Sequence, residues 1–189
     1  MHPFFEALKN SKAMNLLFKA AGASMESRAR HLLMNPVKTL HGADILPGAT
    51  VLEVGCGTGF FTLPAARLIG ERGRLVAMDA LPAYVERVSR KSEEAGLSNV
   101  TVVEGDALDT GLDSSSFDAV ILFGVIPFPA LPLGRLLPEM HRILVPEGVL
   151  AVWLFPPLMH PWVPKAIVRS GSFSYVRKRN RVLNYRRLP

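Results

Sequence analysis

The sequence predicts an α/β fold with a doubly wound, mostly parallel sheet, and three observations predict it. At Thr50 to Thr62, TVLEVGCGTGFFT, an apolar strand run (Val51, Leu52, Val54) meets glycines at alternate positions (Gly55, Gly57, Gly59), followed by a helical stretch, Phe60 to Ile69. Apolar runs recur at Arg74 to Met78, Val100 to Val103, Phe117 to Val125 and Gly148 to Leu154, with helix-patterned segments before most of them. That alternation belongs to βαβ units, whose strands are covered on both faces and read as continuous apolar runs. At 189 residues the chain is long enough for one domain with a sizeable core.

Residues 2 to 34 read as helical. Met14, Leu17, Phe18 and Ala21 share one helix face, Gly22 interrupts, and Met25 to Met34 continues. This predicts an N-terminal helical cap over residues 1–35, ahead of a domain over 36–189 that includes a C-terminal β-hairpin. The cap packs on the domain, closes over a site as a lid, or lies on a membrane surface as an amphipathic anchor. Asn35-Pro36 breaks the helix, Val37 to Ile45 makes a short one, and Leu46-Pro47-Gly48 turns into the first strand.

A strand, a glycine loop and a helix together make a nucleotide site. Glycine lets the backbone turn sharply and approach a ligand closely, and the helix N-terminus attracts an anionic group. The spacing G-x-G-x-G is not the dinucleotide fingerprint, and the Lys-Ser/Thr pair of a P-loop is missing. Glu53 lies inside the strand, two positions before Gly55. A carboxylate there needs a partner, and a ligand's ammonium, directly or through water, is one candidate. Pro64 falls in the first helical turn, where its missing N–H costs nothing.

The stretch E-V-G-C-G-T-G, Glu53 to Gly59, resembles the first motif of the class I S-adenosylmethionine-dependent methyltransferases, and later segments fall at matching distances from about Pro36 to the C-terminus. The chain resembles the broad branch that includes quinone C-methyltransferases. The resemblance implies a Rossmann-like, seven-stranded sheet with an antiparallel last strand and helices on both faces. It also implies S-adenosylmethionine as cofactor, with Gly55, Cys56, Gly57, Thr58 and Gly59 around its methionine portion and Glu53 in support.

Asp79 ends the second strand about 20 residues past the glycine loop, where a carboxylate accepts hydrogen bonds from a ribose diol. The competing role is an N-cap for the helix at Pro82 to Ala95, which carries Tyr84, Val85 and Val88 inward and Gly96 as C-cap. Ala80 and Leu81 would pass beside the adenosine. After the third strand, Gly105-Asp106-Ala107 stands where the family binds adenine, which assigns Asp106 and Ala107 to that ring. Asp109 to Ser116 is a polar loop. Asp118 starts the fourth strand at the end away from the ligand and is structural. The strand's other end, Phe123-Gly124-Val125, faces the reacting methyl.

The loop Ile126 to Gly134, IPFPALPLG, is either an apolar mouth or a rigid packed loop. It lacks the Asn/Asp-Pro-Pro-aromatic motif of DNA amino-methyltransferases, so DNA is not an expected substrate. Cys56 is the only cysteine and is misplaced for a C5-methylating nucleophile; no cysteine-based metal cluster or internal disulfide is possible. The helix Arg135 to Leu144 puts Leu136, Leu137, Met140 and Ile143 on one face, with Arg142 structural and His141 solvated on the other. His160, in FPPLMHPW after the fifth strand, is the candidate base. Pro164 to Val168 is a helical turn, and Ser172 to Arg177 and Arg181 to Leu188 form the hairpin, joined at Lys178 to Asn180.

Charge is uneven. Residues 1–147 carry 14 cations and 16 acids, and eight cations with no acid follow Glu147. These cations guard an exposed strand edge or meet the phosphate of anionic lipid or RNA. No apolar run of about 18 residues exists to span a bilayer, and the first residues lack a secretory pattern. The expected location is cytoplasmic, with possible membrane association. The expected reaction is methyl transfer to a small, hydrophobic or lipid-like acceptor. Alternatives are an RNA or protein methyltransferase docking through the basic hairpin, and a non-catalytic cofactor-binding scaffold. The sequence leaves the oligomeric state open.

Overall fold

The structure, a computed structural model, describes residues 34–127, 131–155 and 161–189. The helices expected before residue 34, and His160, lie outside the described residues. The elements in order are α1 (Pro36–Leu40), β1 (Thr50–Val54), α2 (Thr62–Ile69), β2 (Arg74–Asp79), α3 (Pro82–Glu94), β3 (Val100–Glu104), β4 (Phe117–Phe123), α4 (Leu133–Ile143), β5 (Leu144–Trp153), α5 (Val163–Arg169), β6 (Phe173–Arg179) and β7 (Val182–Arg187).

The strands form one seven-stranded sheet in the order β3-β2-β1-β4-β5-β7-β6. The first five are mutually parallel, and β7 runs antiparallel between β5 and β6. This is the expected doubly wound architecture. Leu52, Val120, Leu150 and Tyr185 on one face pack under α4 and α5 through Leu136, Met140, Val163 and Ile167. Val51, Ile121 and Ala151 on the other face pack under α1 and α2 through Leu40, Ala65 and Ile69. Val88 of α3 covers Ala77 on that second face. Burial of this kind, at about 25 cal/mol per Å² of apolar surface, is what holds the layers together.

The boundaries differ from expectation where distant parts of the chain intervene. The first helix stops at Leu40, and Gly42 then passes so close under β6 that a side chain there would collide with the carbonyl of Arg179. Buried Asn184 of β7 ties this region down, donating to the Gly42 carbonyl (2.8 Å) and accepting from the Asp44 N–H (3.0 Å). β4 ends at Phe123, two residues early, because Gly124 turns with φ +74° while donating to the Trp153 carbonyl at 2.8 Å. β5 starts at Leu144 rather than Gly148, with a register shift against β4. The hairpin turn is Asn180-Arg181, both at positive φ (47° and 67°), the two-residue geometry whose twist matches paired strands. Asp118 is structural as expected, accepting the Thr50 N–H at 2.7 Å.

His141 is a correction. It is part-buried, with Nε2 at 2.8 Å from the Leu188 carbonyl and its ring edge-on to Phe173, so it anchors the C-terminus rather than facing solvent. Arg142 is structural as expected. Its guanidinium donates to both oxygens of Glu139 (2.8 Å each), and Glu139 also accepts from the Thr110 N–H and hydroxyl (2.9 and 2.6 Å). This pins the 105–116 loop to α4. The Arg142 hydrogen bonds hold the Glu139 carboxyl down at about 2, so its contribution is full above the ordinary value of 4.5 and is lost as pH falls toward 2. Arg142→Ala is expected to cost about 1–2 kcal/mol at pH 7 and less at pH 3, read as urea midpoints at the two pH values.

Candidate functional site

The site lies at the carboxyl ends of β1, β2, β3 and β4, where the chain leaves each strand into a loop. After Val54 the backbone enters the left-handed region at Gly55 and again at Gly57 (φ +70° and +53°). A side chain at Gly55 would also collide with Cγ1 of Val125, which follows β4, so this position needs glycine twice over. The Gly55 and Cys56 N–H groups both donate to the Met78 carbonyl (2.8 and 3.0 Å), latching the loop to the end of β2.

Asp79 closes β2 and ties the loop from the other side. Its Oδ2 accepts the Gly57 N–H at 2.9 Å and its Oδ1 the Leu81 N–H at 3.0 Å. The residue at the N-cap of α3 is Leu81, so Asp79 is not that helix's cap. Ala80 and Leu81 follow it, each half-buried. The Gly105 N–H donates to the Asp79 carbonyl at 3.0 Å, which brings the end of β3 beside the end of β2. Asp106 then folds a local turn, its Oδ1 accepting the Leu108 N–H at 2.9 Å, and Ala107 is buried.

Glu53 is buried on the α2 side of β1. Its partner within the protein is Thr62, whose hydroxyl donates to Oε2 at 2.6 Å. Burial pushes the Glu53 carboxyl up to about 8, the Thr62 bond offsets part of that, and the Asp79 charge adds to it. Burial raises Asp79 too, against the hydrogen bonds of the Gly57, Leu81 and Ala80 N–H groups. Neither carboxyl has an ion pair with a cation among the described residues. Burial also pushes the Cys56 thiol up, so Cys56 is no nucleophile here. Among the described residues no cluster of His, Cys, Asp and Glu is arranged to hold a metal.

Phe123, at the end of β4, is buried in a run of aromatics. Its ring meets Phe61 edge-on at 5.0 Å, Phe61 meets Trp153 at 5.8 Å, and Trp153 stacks on Phe155 at 5.3 Å. Phe155 is half exposed. Of the loop after β4, Ile126 and Leu131 are buried in the opposite core.

The structure thus gathers Glu53, Gly55 to Gly59, Asp79 to Leu81, Asp106, Ala107 and Phe123 at one end of the sheet. Sequence reasoning missed Thr62, Lys91 and the Phe61-Trp153 pair. Lys91 of α3 reaches back to donate to the Thr58 carbonyl at 2.9 Å, holding the glycine loop from behind. Its signal was its place three residues after buried Val88, on the inward face of α3.

A sequence model described as a methyltransferase domain matches residues 51–148. The chain is 30% identical over 112 residues to a demethylmenaquinone methyltransferase of Bacillus cereus, covering 59% of this chain and 46% of that one. It is also 30% identical over 105 residues to a protein-L-isoaspartate O-methyltransferase of Methanothermobacter thermautotrophicus, covering 56% of this chain and 48% of the other. The chain spans about half the length of these curated relatives. A SAM-dependent methyltransferase from Aquifex aeolicus shares the fold, with a TM-score of 0.73, 22% identity and coverage of 88% of this chain and 96% of that one. The [4+2]-cyclase SpnF shares it as well, at a TM-score of 0.64 and 22% identity, covering 74% of this chain and 56% of that one. The sheet order, the glycine loop and the match over residues 51–148 agree: the chain belongs to the methyltransferase domain family, with the class I S-adenosylmethionine-dependent fold.

Proposed function

We propose that this protein binds S-adenosylmethionine and transfers its methyl group to a small, apolar or lipid-like acceptor. One observation carries the cofactor half: two buried carboxyls, Glu53 and Asp79, flank the glycine loop with no cation paired to either among the described residues. That basin suits a ligand bearing positive charge and hydroxyls.

When bound, S-adenosylmethionine supplies a methyl already activated by its sulfonium charge. What remains for the chain is to hold, align and exclude water, effects worth up to about 7–11 kcal/mol, with no dedicated base unless the acceptor is protonated. The Gly55 to Gly59 backbone holds the methionine portion, and Glu53 supports its ammonium. Asp79 takes the ribose hydroxyls on the lone pairs its backbone donors leave free. Asp106 and Ala107 meet the adenine, and Phe123 shields the region of the methyl. The Phe61, Trp153 and Phe155 rings extend that apolar wall outward, which supports a flat or hydrophobic acceptor. The relative named for a quinone substrate agrees with this, and the one named for isoaspartyl protein points to a carboxylate instead.

No helix among the described residues is long and apolar enough to cross a membrane. RNA docking through the hairpin is weakened by its pairing: Arg177 binds Asp44, while Arg186 and Arg187 donate to the Glu147 and Leu144 carbonyls. The test is transfer of labelled methyl from S-adenosylmethionine to a panel of quinols, phospholipids, isoaspartyl peptide and transfer RNA. Label in a quinol or lipid is expected. Label only in peptide or RNA would overturn the acceptor assignment, and tight cofactor binding with no transfer to any class would favour a scaffold.

A further inference from the structure

Among the described residues, no further element packs on the outer face of α5 and the adjoining side of the hairpin. Exposed Trp162 opens α5, and Val168 is exposed near its end. Lys165 and Arg169 stand one turn apart on the same helix and carry no ion pair or hydrogen bond among the described residues. A groove of about 580 Å³ runs between α5 and the hairpin, with Lys165, Val168 and Arg169 on one wall and Tyr175, Leu183 and Tyr185 on the other. Tyr175 is half exposed, its ring edge-on to Tyr185 at 5.8 Å. The Tyr185 hydroxyl is buried and has no partner among the described residues. A second groove, on the far side of α5, has Trp162, Lys165 and Arg169 on its wall. Among the described residues no acidic side chain lines either groove.

We propose that this face, Trp162, Lys165, Val168, Arg169 and Tyr175, docks the protein on an anionic lipid bilayer. Most of the basic hairpin tip, the obvious choice from the sequence, faces otherwise, although Lys178, in register with Leu183, shares the α5 side. Arg177 and Arg179 pair in register with Asn184 and Val182 of β7, whose side chains point to the opposite side of the sheet, and Arg177 is engaged by Asp44. Tyr175 pairs with Tyr185, which places it on the α5 side.

Charge complementarity favours a bilayer. Two unpaired cations sit among half-exposed aromatic and aliphatic side chains with no acid to oppose them. Aromatic rings settle at the headgroup level, and basic residues are attracted to an anionic surface. A lipid-like acceptor would be drawn from the surface on which the protein sits. The inference extends the apolar-acceptor reading, and its test does not call on methyl transfer.

The test is cosedimentation of the full chain with phosphatidylglycerol–phosphatidylcholine vesicles and with phosphatidylcholine alone. Binding only to the anionic vesicles is expected, with a blue shift of Trp162 emission that Trp162→Phe abolishes, since the other tryptophan, Trp153, is already buried. Lys165→Glu/Arg169→Glu is expected to weaken vesicle binding at least tenfold. Arg179→Glu/Arg181→Glu, with the same change in net charge at the hairpin tip, should move it less than threefold. Unchanged S-adenosylmethionine binding in both variants shows that they fold. Equal losses in the two variants would reduce the effect to net charge and overturn the proposal. So would equal binding to both vesicle types, preferential binding to single-stranded RNA, or a lipid-free dimer that buries Trp162.

Discussion

Asp79→Ala is expected to weaken S-adenosylmethionine and S-adenosylhomocysteine binding about 100-fold. Hydrogen bonds to a charged acceptor contribute about 1.5–3 kcal/mol each, and in the proposed binding mode two ribose hydroxyls would meet this carboxylate, so a net loss near 3 kcal/mol is about two decades in Kd. The variant also removes the acceptor for the Gly57 and Leu81 N–H groups, which frees the glycine loop from the end of β2. Asp79→Asn separates the two effects. It keeps the size and one acceptor oxygen but turns an amide donor toward one of those N–H groups, so it should bind nearly as poorly as alanine. Calorimetry with both sulfur ligands, and with NAD as a control, measures this. An Asp79→Ala protein that binds within threefold of wild type would remove Asp79 from the site. Wild-type protein that is folded but binds neither ligand would remove the cofactor assignment itself.

The place of Asp79, at the end of β2 beside the glycine loop, was legible in the sequence because everything that fixes it is local: an apolar run, a carboxylate at its end and a glycine loop a fixed distance upstream. The same holds for β1, α2, β2 and the order of elements as far as β5, since each buries a patterned run of its own. What was not legible depends on parts of the chain far apart in sequence. Thr62 reaches Glu53 across the glycine loop, and Lys91 of α3 reaches Thr58 across β2. Neither residue type advertises its role, because threonine and lysine on helices are common and only the packing aims them inward. The short first helix and the anchored His141 were missed for the same reason. Gly42 turns under β6, and the Leu188 carbonyl arrives from the far end of the chain. The basic C-terminus was legible as composition only. Register on β7 decides which cations share a face, and a bulge between Tyr175 and Arg177 resets that register beyond the reach of alternation.

Glu53 leads to the second large effect, a dependence on pH in the neutral range. Its carboxyl stands at about 8 in the folded protein against an ordinary 4.5, with burial as the main cause. The folded state therefore holds a proton that the unfolded chain gives up. The stability from this group is full below pH 4.5, declines above it, and is lost as pH rises through 8. Asp79, raised by burial, acts in the same direction. At about 1.4 kcal/mol per pH unit for one proton, the ligand-free protein should lose a few kcal/mol between pH 5 and 8, seen as a falling Tm. Glu53→Gln keeps the shape and an acceptor for the Thr62 hydroxyl but cannot ionise, so it should flatten most of that slope and raise Tm at pH 8. A ligand ammonium beside Glu53 reverses the balance by favouring the carboxylate. Binding at pH 7 should then release about one proton, visible as a dependence of the calorimetric heat on buffer ionisation enthalpy, and affinity should rise from pH 6 to 7.5. Glu53→Gln should abolish both the proton release and the rise in affinity. A wild-type Tm independent of pH across this range would mean that the buried carboxyl is solvated in solution. Proton release unchanged in Glu53→Gln would assign it to another group, Asp79 being the first to test.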